Sequence, residues 1–455
     1  MEILNSIFYF VIIIGVLVVI HEFGHFLAGR LSGMRIDVFS VGMGHRLFGW
    51  NKTKGFTFGS LSKDFDGNGF CDYRLSMFPI GGYVKISGMV DESMDAEFIN
   101  KEPQPWEFRS KGTLAKAFTI SAGVIMNAML AILIFGGITY FEGQSFRDTT
   151  RISYVDHNSA SEKLGFLPGD KILKVNNENI ESWEDCIDKL VLKNFGSSCK
   201  VVISRNNKDT VLEIDGSILA KSFATERTIG INPDNSTIYL EGIESSLPAA
   251  KVGLQAGDTL LTVNGKQIVA RTQVKDVIST SGTQAINLTW KRGNQVFADS
   301  LHATSDGIIG VYFGEKFDGN IITKNYGIFE SIASGFNESV RSIELFYSSM
   351  KQIFIGNIAI KQAIGGPIMI AKQASKQAEM GLVYFLHFMA LLSITLAIIN
   401  ILPIPALDGG HLVFIIIEGI IRREVSIKVK MAFQQVGMII MFLLMGLALF
   451  NDLIR

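Results

Sequence analysis

The sequence predicts an α-helical membrane protein with four transmembrane helices and two β-rich domains inserted between the second and third helices. The 455-residue chain is 48% hydrophobic and 19% charged, which is too apolar for an ordinary soluble protein and too polar for one that lies wholly in a membrane. Four long apolar segments are separated by polar stretches, and the longest polar stretch contains an internal repeat. The formal net charge of −1 does not favour nucleic acid as a partner.

Each apolar segment is long enough to cross a lipid bilayer, which takes about 20 apolar residues per helix. We predict spans over residues 4–27, 117–140, 381–407 and 431–449. The first is too long for a signal peptide and has no clear cleavage site, so we expect it to be retained. Lysine and arginine are concentrated between the first two spans and just before the last, which predicts that both loops are cytoplasmic. Both termini and the segment from about 141 to 380 then lie outside.

The first predicted span ends in a histidine–glutamate motif, His21-Glu22-Phe23-Gly24-His25. Residues four apart lie on one face of a helix, so His21 and His25 can bind one Zn²⁺ ion. Glu22 is then placed to reach a water on the metal, whose pKa zinc lowers to about 7. Charged groups inside a span cost about 2.5–3.5 kcal/mol each on insertion scales, and those present usually have a function. The alternatives are a chance match or histidines that pack against neighbouring helices.

The third metal ligand is predicted at the end of the third span, because catalytic zinc sites usually have three protein ligands. The segment Asn400-Ile401-Leu402-Pro403-Ile404-Pro405-Ala406-Leu407-Asp408-Gly409-Gly410 contains the only acidic residue between Gly381 and Glu418, namely Asp408. The two prolines predict a break in the helix, and the two glycines allow close approach of the chain. The alternative is that Asp408 caps the following helix, predicted over 411–421.

The outer segment contains two copies of one pattern. Asn158–Ile180 reads NSASEKLGFLPGDKILKVNNENI, and Ser246–Ile268 reads SLPAAKVGLQAGDTLLTVNGKQI. Each copy has a short helical stretch, a turn with glycine and aspartate, an apolar strand and a second turn, where glycine and asparagine supply positive φ angles. The pattern resembles the PDZ domain, so the expected fold class includes two PDZ-like domains. Such domains bind extended peptides, often at a C-terminus; the alternative is a pair of spacers that bind nothing.

The histidine motif in the first span and N-x-x-P-x-x-x-L-D-G in the third resemble the site-2 protease family of intramembrane metalloproteases, over essentially the whole chain. The resemblance implies that His21, His25 and Asp408 hold Zn²⁺ and that Glu22 is the general base. It also implies cleavage of single-span membrane proteins within or beside the lipid bilayer, including an anti-sigma factor and remnant signal peptides. The implied location is the bacterial inner membrane, with the PDZ-like domains and both termini in the periplasm.

Further substrate-binding residues follow from the same resemblance. Asn400 matches the family asparagine thought to bind substrate backbone. Asn127 fits a G-P-x-x-N pattern in the second span, although valine replaces the proline here. The segment Tyr73–Ile86 predicts a hairpin around Pro79-Ile80-Gly81-Gly82, and in the family a similar hairpin, here with Gly81, Gly82 and Tyr83, pairs with substrate as a strand. For the two asparagines the alternative is hydrogen bonding between helices. For the segment Tyr73–Ile86 the alternative is an ordinary surface hairpin.

The predicted domain layout places a membrane domain at 1–147 and 381–455, PDZ-like domains at 148–222 and 227–314, and an amphipathic linker at 315–380. Cys186 and Cys199 lie outside, where a disulfide can persist, but we expect them to be free. His45 and His387 lack motif spacing, and we interpret both as structural.

Two other function classes are weighed against a protease. In a non-catalytic receptor with a vestigial metal site, the PDZ-like pair would bind exposed C-termini. The retained Glu22 argues against this reading. A metal transporter would need more intramembrane acids and histidines than the chain contains.

Overall fold

The structure is a computed structural model that describes residues 2–62, 67–89, 102–226, 228–281, 284–304, 307–358 and 365–454. The chain forms two compact units. The first comprises Met1–Glu142, Asn325–Phe346 and Ile364–Arg455, and the second comprises Gly143–Lys324 and Tyr347–Ala363. Within the described residues, four helices are long and apolar enough to cross a membrane, which confirms the four predicted spans: Ile3–Leu31, Thr113–Glu142, Leu382–Ile401 and Ile427–Ile454.

The elements in chain order begin with α1 (Glu2–Leu31), β1 (Ile36–Asn51), β2 (Gly55–Phe58), β3 (Asp72–Ile86) and α2 (Thr113–Glu142). The second unit follows with β4 (Gln144–Arg147), β5 (Ile152–Val155), α3 (Ala160–Lys163), β6 (Lys171–Val175), β7 (Glu178–Asn179), α4 (Trp183–Ile187), β8 (Cys199–Arg205), β9 (Lys208–Ile214), α5 (Gly216–Glu226), β10 (Ile231–Pro233), β11 (Ser236–Ile243), α6 (Pro248–Lys251), β12 (Thr259–Val263), β13 (Lys266–Gln267), α7 (Arg271–Ser281), β14 (Ala285–Arg292), β15 (Gln295–His302), β16 (Val311–Phe317) and β17 (Ile321–Lys324). The remaining elements are α8 (Ile328–Ile355), α9 (Pro367–Met380), α10 (Leu382–Ile401), α11 (Asp408–Ile421) and α12 (Ile427–Ile454).

Helices α1, α2 and α10 pack together at the centre of the first unit. Ile13 and Leu17 of α1 are fully buried against α9 and α10, while α2 and α10 share a second apolar cluster around Ala131 and Ile394. Gly24 allows α1 to touch α2, because a Cβ atom there would lie 2.4 Å from the carbonyl oxygen of Ala122. Small residues therefore set the distance between the first two spans, as is usual for helices packed in membranes.

The predicted break after the third span is present. Helix α10 ends at Ile401 and α11 begins at Asp408, so residues 402–407 are not helical. The first turn of α11 packs directly on this segment. At Gly409 a Cβ atom would lie 2.1 Å from the carbonyl oxygen of Leu402. At Gly410 a Cβ atom would lie 2.5 Å from the carbonyl oxygen of Ile404. The glycines thus allow the chain to fold back on itself.

A three-stranded sheet with the order β2-β1-β3 follows α1. The sequence predicts the two halves of β3 as a hairpin, but both halves pair with β1 instead. Phe39 of β1 lies opposite Val84 in one half and opposite Tyr73 in the other. The half of β3 from Gly82 to Ile86 therefore forms an edge of this sheet among the described residues.

Helix α8 begins in the first unit and lies against α2 there. Ser331, Gly335 and Ser339 follow each other at intervals of four residues, and a Cβ atom at Gly335 would lie 2.3 Å from the Ile132 carbonyl oxygen. Part of the predicted amphipathic linker therefore packs inside the helical unit through small residues. The face of α8 that carries Ser331 and Ser339 therefore contacts α2 and is not turned to the membrane surface.

The C-terminal end of α12 anchors α9. The Asp452 carboxylate accepts hydrogen bonds from the backbone N–H groups of Gly366, Ile368 and Met369 at 2.8, 3.0 and 3.1 Å. These N–H groups have no partner within α9 because they belong to its N-cap and first turn. The carboxylate also complements the positive end of the helix dipole.

The second unit repeats one arrangement twice. The first copy has β5, α3, β6, β7, α4, β8, β9 and β10 in that order, and the second copy has β11, α6, β12, β13, α7, β14, β15 and β16. In each copy the last strand pairs antiparallel with the first, β10 with β5 and β16 with β11. Helix α5 in the first copy has no counterpart in the second.

The aspartate of each repeated turn forms a buried ion pair. Asp170 is 1% exposed and accepts hydrogen bonds from Arg205 at 2.8 and 2.7 Å. Asp258 is equally buried and accepts two bonds from Arg292 at 2.7 Å. Each arginine also donates to a carbonyl of the same turn, at Gly165 or Gly253, and these carboxylates raise the pKa of both arginines. The repeated aspartate therefore ties its turn to the third long strand of its copy.

Cys71, Cys186 and Cys199 are buried free thiols, as expected for the outer pair. Burial raises the pKa of Cys199 to about 11 and raises the pKa of Cys186 further. These thiols are therefore protonated near neutral pH and unreactive.

We expect Asp258→Asn to destabilise the second copy, because the buried carboxylate that accepts two hydrogen bonds from Arg292 loses its charge. Amide hydrogens in β12 and β14 should exchange roughly tenfold faster, with the amides of β6 and β8 unchanged. Asp170→Asn is the matched control, since it should produce the reverse pattern. Equal acceleration in both copies from either variant would contradict two independent ion-pair anchors.

Candidate metal centre

The two histidines of the first span are oriented by α2. His25 is buried, and its Nδ1 lies 2.9 Å from the carbonyl oxygen of Thr119, to which it donates. The Nδ1 of His21 lies 3.4 Å from the side-chain nitrogen of Asn127. Both imidazoles therefore have their Nδ1 atom next to a polar group of α2, and the two Nε2 atoms are 3.2 Å apart.

Asp408 completes a cluster of three ligand atoms. Its Oδ2 lies 3.1 Å from His21 Nε2 and 3.4 Å from His25 Nε2, and no other group of three histidine, cysteine or acidic ligands converges in this way within the described part of the chain. Ligand atoms in tetrahedral zinc sites with bonds of about 2.0–2.1 Å are about 3.3 Å apart. The three separations match that spacing.

The environment of Asp408 Oδ2 also fits a cation. This oxygen is buried and has no hydrogen-bond partner among the described residues. Its contacts with the two imidazole nitrogens are attractive only when a proton or a metal ion lies between them, because all three atoms otherwise present lone pairs. A buried charge without a partner is costly. The donor set of two imidazoles and one carboxylate is that of a catalytic zinc site.

Asp408 does not cap α11 with its side chain. The N-cap position is Leu407, and no side-chain cap hydrogen bond is present there. Asp408 is instead the first residue of the helix, with its carboxylate directed at the histidines. The alternative prediction, that Asp408 caps the helix after the third span, is therefore wrong.

Gly123 of α2 makes room for both histidines. A Cβ atom at this position would lie 2.5 Å from His25 Nε2 and 2.8 Å from His21 Nε2. Sequence reasoning did not single out Gly123 for this role. Its position four residues before Asn127 within the expected asparagine pattern was the available signal.

Glu22 lies between the histidines and the edge of the sheet. The backbone N–H of Val84 in β3 donates to its carboxylate, and a Cβ atom at Gly82 would lie 3.3 Å from Glu22 Cγ. Glycine at position 82 therefore permits the edge strand to approach the acidic side chain. The half of β3 from Gly82 to Ile86, whose outer edge is unpaired among the described residues, therefore lies beside Glu22, the only carboxylate of the histidine–glutamate motif.

A cavity of about 470 Å³ joins these groups. All of the predicted site residues line it: His21, Glu22, His25, Gly81, Gly82, Tyr83, Asn127, Asn400 and Asp408. Met43 and His411 also line it, and sequence reasoning missed both. His411 follows Asp408 by three residues and so shares its helix face, which was a usable signal.

The two asparagines occupy different places. Asn400 is partly exposed, with its Nδ2 atom 3.4 Å from His21 Nε2 on the cavity side. Asn127 is fully buried, and its backbone carbonyl accepts a hydrogen bond of 2.7 Å from the Ser393 hydroxyl. Helix α2 is continuous from Thr113 to Glu142 through Val124, the position at which the family pattern has proline.

The two histidines interpreted as structural, His45 and His387, are not among the residues that line this cavity. His45 is exposed on β1. His387 packs its ring edge against Phe135, with the ring centroids 5.2 Å apart. Neither position adds a ligand to the cluster of His21, His25 and Asp408.

Comparison with known proteins finds proteases that match nearly the whole length of this chain. Residues 9–444 match peptidase family M50. The chain is 30% identical over 465 residues to the regulator of sigma-E protease RseP of Escherichia coli, covering 98% of each chain. It is 30% identical over 475 residues to protease RseP of Yersinia pestis, covering 100% of each. A predicted zinc metalloprotease of Vibrio cholerae is 30% identical over 473 residues, covering 100% of this chain and 99% of the relative.

We expect Gly123→Ala to abolish metal binding at this centre, because the new methyl group would displace both imidazoles. Gly137→Ala in the same helix is the matched control, since a Cβ atom there has no neighbour within 4 Å. Metal per protein, measured by elemental analysis after purification, should fall only in the first variant. Full metal content in Gly123→Ala would contradict the close packing of α2 on the histidines.

Proposed function

The chain belongs to peptidase family M50 and is a zinc metalloprotease, and we propose that it cleaves single-span membrane proteins within or beside the lipid bilayer. The observation that carries this proposal is the convergence of His21, His25 and Asp408 next to Glu22 in a helical membrane unit. Polar groups placed at such depth are expensive and are usually functional.

The proposed zinc ligands are His21 Nε2, His25 Nε2 and Asp408 Oδ2. When bound, zinc acts as a Lewis acid that makes hydroxide available near neutral pH and polarises the scissile carbonyl. The protein supplies fixed imidazole orientations through α2 and an otherwise unpaired buried carboxylate. The cavity beside these atoms provides space for the peptide bond.

Glu22 is the proposed general base. Its carboxylate lines the cavity and can accept a proton from the attacking water. The same proton can then pass to the amine nitrogen as the carbon–nitrogen bond breaks. The hydrogen bond from the Val84 backbone N–H holds the carboxylate in place. Asn400, on the cavity side of the centre, is the proposed donor to the substrate backbone.

The edge of β3 is the proposed substrate-binding strand. A transmembrane helix has its amides hydrogen-bonded internally, so it must unwind before hydrolysis. Residues Gly81, Gly82 and Tyr83 line the cavity, and the edge from Gly82 to Ile86 is unpaired on its outer side among the described residues. An added substrate strand there would be held extended beside Glu22.

The two copies in the second unit are proposed to be PDZ-like domains that bind peptide C-termini. The final strand of each copy, β10 or β16, pairs on one side only within the described residues. A peptide can add to such an edge as a further strand. If both edges stay vacant with every peptide tested, the copies serve instead to exclude bulky ectodomains.

The proposed setting is a bacterial inner membrane, with the second unit and both termini in the periplasm. An even number of candidate spans supports a topology with both termini on the same side. The loops rich in lysine and arginine support a cytoplasmic location for the other side. The name of the Escherichia coli relative refers to regulation of sigma-E, and we extend that to the proposal that an anti-sigma factor and remnant signal peptides are substrates.

We expect Glu22→Gln to lower cleavage of a single-span substrate in liposomes by about 10²–10⁴-fold, because glutamine cannot accept the proton. Bound zinc should be unchanged, since Glu22 is outside the ligand set. Both quantities are measured on the same preparations. Cleavage at the wild-type rate by Glu22→Gln would refute the assigned base.

The control for substrate choice uses the same substrate with and without its periplasmic domain. A wild-type protein that binds zinc yet cuts neither form of several substrates would favour a receptor over a protease. Cleavage of the trimmed form alone would support size exclusion by the second unit.

A further inference from the structure

We propose that Asn127 is a positioning residue that accepts a hydrogen bond from His21 Nδ1 and thereby presents His21 Nε2 to the metal. The inference rests on the proposed function, because it requires zinc at His21, His25 and Asp408. It gives Asn127 a role different from the substrate binding expected from sequence.

The location of Asn127 carries the argument. Its side-chain nitrogen lies 3.4 Å from His21 Nδ1, whereas His21 Nε2, on the opposite side of the ring, faces Asp408 at 3.1 Å. Asn127 is fully buried. It therefore lies behind the imidazole as seen from the ligand cluster, where its amide contacts the ring.

The tautomer that binds metal requires an acceptor at this place. A neutral imidazole whose Nε2 lone pair is given to a metal carries its hydrogen on Nδ1. A buried N–H group without an acceptor destabilises the state that contains it. The group facing His21 Nδ1 is the Asn127 amide, and only its Oδ1 atom can accept a hydrogen bond.

The state of the amide agrees with this assignment. Asn127 Oδ1 is buried and has no hydrogen-bond partner among the described residues. The oxygen and nitrogen of an amide have nearly the same shape, so a half-turn about the last side-chain bond exchanges them without moving the helix. That half-turn gives Oδ1 the donor it lacks and gives His21 Nδ1–H an acceptor.

His25 has the equivalent contact from the backbone. Its Nδ1 donates to the Thr119 carbonyl oxygen at 2.9 Å, which fixes Nε2 as the metal-facing nitrogen. Helix α2 thus supplies one acceptor to each histidine, a carbonyl to His25 and a side chain to His21. Metal-ligating histidines generally need such a partner, and its loss lowers metal affinity about 10–100-fold.

The test uses the full-length protein in detergent with three variants, Asn127→Asp, Asn127→Leu and Asn127→Ala. Zinc retention is measured against a graded series of chelator concentrations. We expect Asn127→Leu and Asn127→Ala to lose zinc at about 10–100-fold lower chelator concentrations. Asn127→Asp should retain zinc as the wild type does, because a carboxylate oxygen still accepts the hydrogen bond. Aspartate and leucine both keep the branched, four-heavy-atom side-chain skeleton of asparagine, whereas alanine removes it. A loss of zinc shared by leucine and alanine but not by aspartate therefore follows the missing hydrogen-bond acceptor and not the size of the side chain.

Cleavage measured with added zinc separates positioning from substrate binding. We expect excess zinc to restore activity to Asn127→Ala, and Asn400→Ala to keep wild-type zinc affinity. Loss of zinc by Asn127→Asp equal to that of Asn127→Ala would overturn the proposal. So would wild-type zinc affinity in Asn127→Ala combined with a raised KM, which would restore the substrate-binding role. Wild-type protein that holds no zinc would refute the proposed function itself.

Discussion

Three metal-binding atoms lie 3.1–3.4 Å apart within an apolar helical unit, and this close approach constrains the structure around them. Without a cation the lone pairs of His21, His25 and Asp408 face one another in a buried setting. Holding them there requires α1, α2 and the start of α11 to meet almost backbone to backbone. Gly24 and Gly123 allow that approach on one side. The helix break at residues 402–407 likewise allows the start of α11, with Asp408, to approach the two histidines.

The break between α10 and α11 lies next to the proposed site. Residues 402–407 are non-helical next to the cavity, where protein and cavity can receive backbone groups that lipid would leave unpaired. The edge of β3 likewise approaches Glu22 through Gly82. The second unit closes its own cores, and each copy is tied by its own aspartate–arginine pair. The helical unit and the two repeated copies are therefore stabilised by separate sets of contacts.

Sequence reasoning predicted the four spans and the three residues that converge in the structure, because both depend on local signals: apolar length, the four-residue spacing of His21 and His25, and one isolated acid, Asp408. It did not find the pairing of β1 with both halves of β3, since partners such as Phe39 and Val84 are far apart in the chain. It also missed Arg205 and Arg292 as partners of the repeated aspartates. The residues around an arginine on a strand do not indicate which distant aspartate it will pair with.

The two histidines of the motif look equivalent in sequence but differ in what supports them. The acceptor for His25 is the carbonyl of Thr119, which any residue at position 119 supplies provided that the helix continues. The group behind His21 is a side chain, so its chemistry depends on the identity of residue 127. A motif therefore specifies which nitrogens meet the metal, yet the tautomer of each ring is decided by a different helix. For that reason the second span, which contributes no ligand, holds as much of the metal chemistry as the first.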